Sequence, residues 1–226
     1  MDGPETFRSS PRSSMLRANV FALESLCVLG VYGCILLWPK MQWPGHSKDA
    51  WRCQVLFVFG VVYMLRLNVM ARWLLPRELA TEELTVVILW ILTILVSFGA
   101  GALLTGTPDD LSISLAVALY CLGSFVNTWS ELQRKWWKAK PENKGRCYTL
   151  GLFSLSRNIN YLGDVLLFLG WAAATGCWWN LWAPVVMAAS FYFYHIPDKE
   201  QYLSERYKVD WPAYAASTKS FIPFLC

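Results

Sequence analysis

The sequence predicts an all-α protein: a polytopic integral membrane bundle of about six transmembrane helices, the last two a short hairpin, with a cytosolic loop and tail. Three observations predict it. Hydrophobic residues make up 55% of the 226 positions and charged residues only 16%, against roughly a quarter charged in soluble domains. The apolar residues fall in runs of roughly 18–22, the length that crosses a ~30 Å hydrocarbon layer. Lys and Arg gather between those runs, the placement that sets membrane orientation. Disordered, fibrous and small disulfide-stapled classes are excluded.

Residues 1–16 are polar and predicted to be a disordered cytosolic N-terminus, followed by a single membrane domain over 17–226. The first span, about 18–38, ends at Trp38-Pro39 and is read as a retained signal anchor. The second covers about 53–75 and closes at Leu75-Pro76, where proline stops a helix. The third, about 84–106, is tied to the fourth, about 111–129, by the short TGTPDD connection. The glycines of SFGAGALLTG lack both the G-K-[ST] of a P-loop and a strand-to-helix setting, so they read as close helix packing.

A polar stretch at 130–160 carries Arg134, Lys135, Lys138, Lys140, Lys144, Arg146 and Arg157, which the positive-inside rule places in the cytosol together with the N-terminus. Lys40, Lys48 and Arg52 then fall on the opposite side, against the rule. Trp136 and Trp137 among these cations suit an interfacial helix; membrane context disfavours nucleic acid. From Val165 to Tyr194 the run is too long for one straight span, and Thr175-Gly176-Cys177 marks a turn between two helices. The tail, 195–226, returns to the cytosol. The seven cysteines form no C-x-x-C pair and mostly lie in apolar runs, so neither a disulfide framework nor a metal site is predicted. Nothing in the sequence signals an oligomeric state.

Ionisable residues inside spans are costly and usually face a cavity or a partner. Glu24 in the first span and Tyr63 and Arg66 in the second are the intramembrane polar candidates, the alternative being a structural Glu24–Arg66 pair. The densest cluster is SRNINYLGD, 156–164. Arg157 suits a phosphate and Asn160 offers both donor and acceptor, while Asp164 suits a ligand or a helix cap. His195, Asp198 and Glu200 return to the same face.

GLFSLSRNINYLGD at 151–164 resembles the C-terminal reductase domain of the steroid 5α-reductase and sterol reductase superfamily, whose pattern reads G-L-[FW]-…-[SA]-R-H-x-N-Y-x-G-[DE]. DKEQYLSERYKVDWPAY at 198–214 and the closing FIPFL are similar to that family's tail, and Asn127, Ser130, Gln133 and Lys135 match the polar helix end before the motif. RLNVMARWLLPRELATEE at 66–83 is similar to an Arg-rich helix end and acidic turn in some members. Asn158 stands where the family usually has His.

The resemblance implies NADPH bound by the cofactor half, about 120–226, without a Rossmann fold. By position it implies a cofactor cleft of Asn127, Gln133, Lys135, Arg157, Asn160, Tyr161, Asp164, His195, Glu200 and Tyr207. Lys135 and Arg157 would take the phosphates, and Tyr161, Glu24, Tyr63 and Arg66 are the catalytic candidates. It further implies a lipophilic substrate (steroid, sterol or related lipid) whose C=C bond is reduced, in the endoplasmic reticulum membrane. Two alternatives stay open: an S-adenosylmethionine-dependent membrane methyltransferase of the isoprenylcysteine or phospholipid type, and an inactive lipid-binding relative.

Overall fold

A computed structural model describes residues 11–42, 47–74 and 81–225. Those residues form helices α1 (Pro11–Gln42), α2 (Ser47–Val69), α3 (Thr81–Leu104), α4 (Asp110–Lys138), α5 (Ile159–Ala174), α6 (Trp182–Ser190), α7 (Ile196–Arg206) and α8 (Trp211–Ser217), with no strand among them. Four of them, α1 to α4, hold segments long and apolar enough to cross a membrane, and α5 is a shorter apolar helix.

Helix boundaries differ from the sequence reading where polar residues continue a helix. α1 starts at Pro11, inside the stretch expected to be disordered, and runs through Trp38-Pro39 to Gln42. α4 runs on to Lys138, so residues 130–138 are helix and not loop. α5 begins at Ile159, with Asn158 at its N-cap position. Asp164 therefore sits inside the helix and does not cap it. The Leu75-Pro76 boundary and residues 1–10 lie outside the described residues.

The predicted hairpin is present: α5 ends at Ala174, Gly176 turns the chain with φ +70°, and α6 packs back on α5. α6 does not stop at the end of its apolar run. It passes through a π-helical turn, Phe191–His195, into α7. Pro197, in the first turn of α7, has no N–H to donate and its ring crowds the carbonyl four residues back. A widened turn just before it relieves both problems.

An aromatic hub holds the bundle. Trp171 of α5 is fully buried. Its ring meets Tyr32 of α1, Phe59 and Tyr63 of α2, Phe98 of α3 and Tyr120 of α4 at centroid distances of 5.7 to 6.3 Å, mostly edge-to-face. Its indole N–H donates to Tyr32 Oη at 3.2 Å. α4 and α5 form the tightest pair because glycines let their backbones touch. A Cβ on Gly123 would fall 2.5 Å from Gly163 O, and one on Gly163 2.6 Å from Asn127 N.

Arg52, expected on the face that lacks the basic loop, is buried and acts as a helix cap. Nη1 donates to Gly106 O at 3.0 Å and Thr175 O at 3.2 Å; Nη2 donates to Ala102 O at 2.5 Å and Thr105 O at 3.2 Å. One guanidinium thus satisfies carbonyls at the ends of both α3 and α5, where the helix dipoles are negative. As a cap it is no longer a loop charge that opposes the predicted orientation.

Candidate functional site

The end of the bundle that carries the basic stretch holds a cleft of about 430 Å³. The end of α4 supplies Glu131, Arg134, Lys135 and Lys138; α7 and the residue after it supply Lys199, Arg206 and Tyr207; Arg157 and Tyr214 close one side. Six cations therefore face one carboxylate in a cleft with aromatic walls.

The cations are held in place by that wall. Lys138 Nζ donates to Tyr207 Oη at 2.8 Å and lies 4.4 Å from the centre of the Tyr207 ring. Lys135 Nζ donates to Trp73 O and lies over the Trp73 ring. Lys199 Nζ lies 4.6 Å from the Tyr161 ring centre and 3.5 Å from Asn160 Oδ1. Burial, reinforced by the nearby Arg134 charge, pushes the Lys199 ammonium down to about 8. The thiol of Cys147, also on the wall, is pushed up by burial.

Three residues of the expected cofactor set line this cleft: Lys135, Arg157 and Tyr207. Arg157 is largely committed elsewhere. Its Nε and Nη2 bind Glu200 at 2.9 and 3.0 Å, and Nη1 donates to Ala215 O at 2.8 Å and to Thr218 O. Glu200 also accepts from Ser220 Oγ at 2.8 Å. Arg157 and Glu200 thus lock the start of α5 to α7 and the tail. Asn158 is buried against the same lock, donating to Ser220 O at 2.9 Å, and does not line the cleft. Gln133 accepts from Leu152 N at 3.1 Å and so props the 150s loop.

Asn127 and Asn160 are buried in the α4–α5 seam, where Asn127 Nδ2 donates to Asn160 O at 2.9 Å. Asp164 lies 3.8 Å from Arg66 Nη2, so the acid beside Arg66 is Asp164 and not Glu24. Tyr161 stacks on Phe191 at 4.4 Å. The exposed His195 meets the other side of that stack through Phe191 and lines no part of the cleft. His195 therefore meets the 157–164 cluster only indirectly, through Phe191 and Tyr161, and not across the cleft. Tyr63 is core, packed on Phe168 at 4.9 Å and on Trp171. Glu24 is half-buried on α1 and lines neither the cleft nor the groove described next.

A second cavity, about 840 Å³, is an apolar groove between α2 and α4. Phe59 and Tyr120 stack at 3.7 Å on its wall; Val58, Phe125 and Trp129 line it and stand exposed; Arg66 and Thr128 lie towards the basic end. A hydrogen-bonded seam runs from the groove towards the cleft. Arg66 Nη2 donates to Asn127 Oδ1 at 2.5 Å, Asn127 to Asn160 O, and Lys199 approaches Asn160 Oδ1.

Sequence reasoning missed Arg134, Lys138, Lys199 and Arg206. Arg134 and Lys138 are spaced i, i+4 and share a helix face with Lys135 close by, a signal that needed α4 to be extended to Lys138. Lys199 lies between Asp198 and Glu200, two acids that mask its charge in the local sequence.

No curated protein matches the chain. The family described as "Protein of unknown function (DUF1295)" matches residues 80–218, which run from just before α3 to the residue after α8 and contain all of the cleft except Trp73. With more than half of its length matched, the chain belongs to the DUF1295 family.

Proposed function

We propose that the protein is a membrane-embedded, NADPH-dependent reductase of a carbon–carbon double bond in a lipophilic substrate. The observation that carries this reading is the cleft: Arg134, Lys135, Lys138, Arg157, Lys199 and Arg206 around one cavity at the basic end. Three phosphates need fixed positive charge, and flat aromatic walls suit two heterocycles. The donor set fits the dinucleotide. Arg134, Lys135 and Lys138, successive on α4, would hold phosphate oxygens, with Tyr207 and Tyr202 as stacking faces. Bound NADPH supplies the hydride. The protein's share is to orient the acceptor carbon, exclude water and place a donor where negative charge develops. The resemblance to steroid 5α-reductase-like proteins on SRNINYLGD supports the same reading.

The methyltransferase alternative is disfavoured by charge. S-adenosylmethionine carries a cationic sulfonium, and with Arg157 paired to Glu200 and Arg134 to Glu131 the cleft still sets Lys135, Lys138, Lys199 and Arg206 against it. The inactive-relative reading rested on Asn158, which sits outside the cleft in the Arg157–Glu200 lock, so losing the usual His there removes no cleft side chain. By the positive-inside rule the basic end, and with it both chain ends and the cleft, faces the cytosol. An endoplasmic reticulum membrane is the address that the resemblance supports.

The test is equilibrium binding of NADPH and of S-adenosylmethionine to purified protein in nanodiscs. NADPH is expected to bind and raise the melting temperature, and Lys138→Ala with Arg134→Ala to weaken it by about tenfold or more. Binding of S-adenosylmethionine alone, or of neither, overturns the reading.

A further inference from the structure

We infer that the cleft is also an acylation site: Lys199 is a nucleophilic amine placed to take an activated acyl group, from a thioester or an acyl phosphate, and once acylated it closes the cleft to an anionic ligand. That closure gains its meaning from the reductase reading; the reactivity of the amine does not depend on it. The inference starts from how the six cations of the cleft are held. Five have a bonded acceptor. Arg134 pairs with Glu131 and Arg157 with Glu200, Lys135 donates to Trp73 O, Lys138 to Tyr207 Oη and Arg206 to Tyr202 Oη. Lys199 alone lacks a close acceptor among the described residues: Asn160 Oδ1 approaches it at 3.5 Å, the outer limit of a hydrogen bond.

Its surroundings work against the ammonium. Nζ sits over the Tyr161 ring at 4.6 Å and beside the Phe153 ring at 5.9 Å, and the Arg134 guanidinium covers that same Phe153 ring at 5.8 Å. The ring faces attract a cation, but they also displace its water, and Arg134 repels it. A lysine desolvated against apolar walls next to a second cation is the arrangement that frees an amine for nucleophilic attack. Arg134 and Glu131 of α4, Glu200 of α7 and Cys147 are the charged or titratable groups that act on it. Both carboxylates are already bound to arginines. With burial as the largest cause, the balance leaves Lys199 near 8. At pH 8 about half of the Lys199 side chains then carry a free lone pair, against roughly one in several hundred for an exposed lysine.

The step is an acyl transfer with no change of oxidation state. The Lys199 lone pair attacks the carbonyl carbon and a C–N bond forms. The C–S or C–O bond breaks, the thiolate or phosphate leaves with the electron pair, and the nitrogen gives up its extra proton to water. The cleft suits both ends of such a donor. Lys135, Lys138 and Arg206 offer charge to a phosphorylated leaving group, while Tyr148, Phe153 and Leu203 give the acyl group an apolar wall. The amide that results is uncharged and occupies the wall, so the cleft loses a cation and part of its volume.

The experiment treats the full chain in nanodiscs with acetyl phosphate or with acetyl-coenzyme A and follows each lysine by peptide mass spectrometry. At pH 8 Lys199 is expected to acetylate about fivefold or more faster than the exposed Lys140, Lys144, Lys208 and Lys219. Its rate should reach half its maximum near pH 8, and theirs above about pH 10. Reaction with both reagents supports activated acyl groups at large, with acetyl-coenzyme A alone a nucleotide thioester, and with acetyl phosphate alone a small acyl phosphate. The acetylated protein should bind inorganic pyrophosphate about fivefold more weakly, and Lys199→Arg put through the same treatment should keep the affinity it had before. Lys199 no faster than the surface lysines with either reagent, a pH profile like theirs, or pyrophosphate binding that acetylation leaves unchanged each overturns the inference. NADPH binding on the same preparations separates the two readings: NADPH bound while Lys199 stays inert sinks only the acylation, and a reactive Lys199 in protein that binds no NADPH sinks only the reductase.

Discussion

Arg157 and Glu200 meet edge to edge, Nε to Oε1 at 2.9 Å and Nη2 to Oε2 at 3.0 Å, so residues expected to hold a ligand hold the protein's own tail. Nη1 extends the grip to Ala215 O and Thr218 O, and the Arg157 backbone N–H donates to Lys219 O at 2.9 Å. The cleft keeps its shape because this clamp fixes α7 and the tail against α5.

Arg157→Ala should therefore release the tail before it affects the bundle. Removing one partner of a largely buried pair costs about 3 kcal/mol or more and strands the Glu200 carboxylate. Limited proteolysis is expected to cut within residues 207–225 in the variant and not in the parent. Arg157→Lys should rescue little, since an ammonium cannot make two parallel bonds to one carboxylate.

Arg52→Ala should strike the opposite end. Four carbonyls at the ends of α3 and α5 lose their donor. A loss of about 3 kcal/mol is expected, which for a chain of this size lowers the melting temperature by roughly 6–12 °C. Differential scanning fluorimetry in detergent reads it, and Arg52→Lys should recover only part.

Gly163→Ala tests the backbone contact of α4 and α5. The added methyl lies 2.6 Å from Asn127 N and 2.9 Å from Gly123 O, so the helices must separate. Overpacking of this kind costs about 1–3 kcal/mol. It should also stretch the Asn127–Asn160 bond, so reduced stability and weakened ligand binding are expected together, in contrast to Gly106→Ala, which meets no neighbour.

Lys199 predicts a pH dependence of known sign. Its folded ammonium titrates near 8, against an ordinary 10.5 in the unfolded chain. Between those values the unfolded chain binds more protons, so this group adds stability as pH rises from about 8 to about 10.5. Below pH 8 the buried charge is a standing cost. Urea denaturation across that range should show the rise in the parent and a flatter profile in Lys199→Met. Affinity for an anionic ligand should move the other way, falling as Lys199 loses its proton.

Much of the fold was legible in the sequence because membrane burial writes long apolar runs. The runs locate α1 to α4, and Thr175-Gly176-Cys177 marks the turn of the hairpin. Helix ends were less legible. Hydropathy falls at Ser130, but the backbone goes on bonding to itself to Lys138, because polarity ends burial and not helicity. The same gap hid the cleft, whose α4 cations share a face only if that helix continues.

Residue identity by itself determined the class of protein, an all-helical membrane bundle, and picked out the 156–164 cluster as special. Only the tertiary structure decided what each member does. Arg157 became a clamp, Asn127 and Asn160 a buried seam, Tyr63 part of the Trp171 hub, and Lys199 a wall of the cleft. The reason is physical: hydrophobicity acts along the chain and is read locally, whereas a charged or amide group is defined by its partner. Those partners, Glu200 for Arg157 and Asp164 for Arg66, lie 43 and 98 positions away and are chosen only when the helices pack.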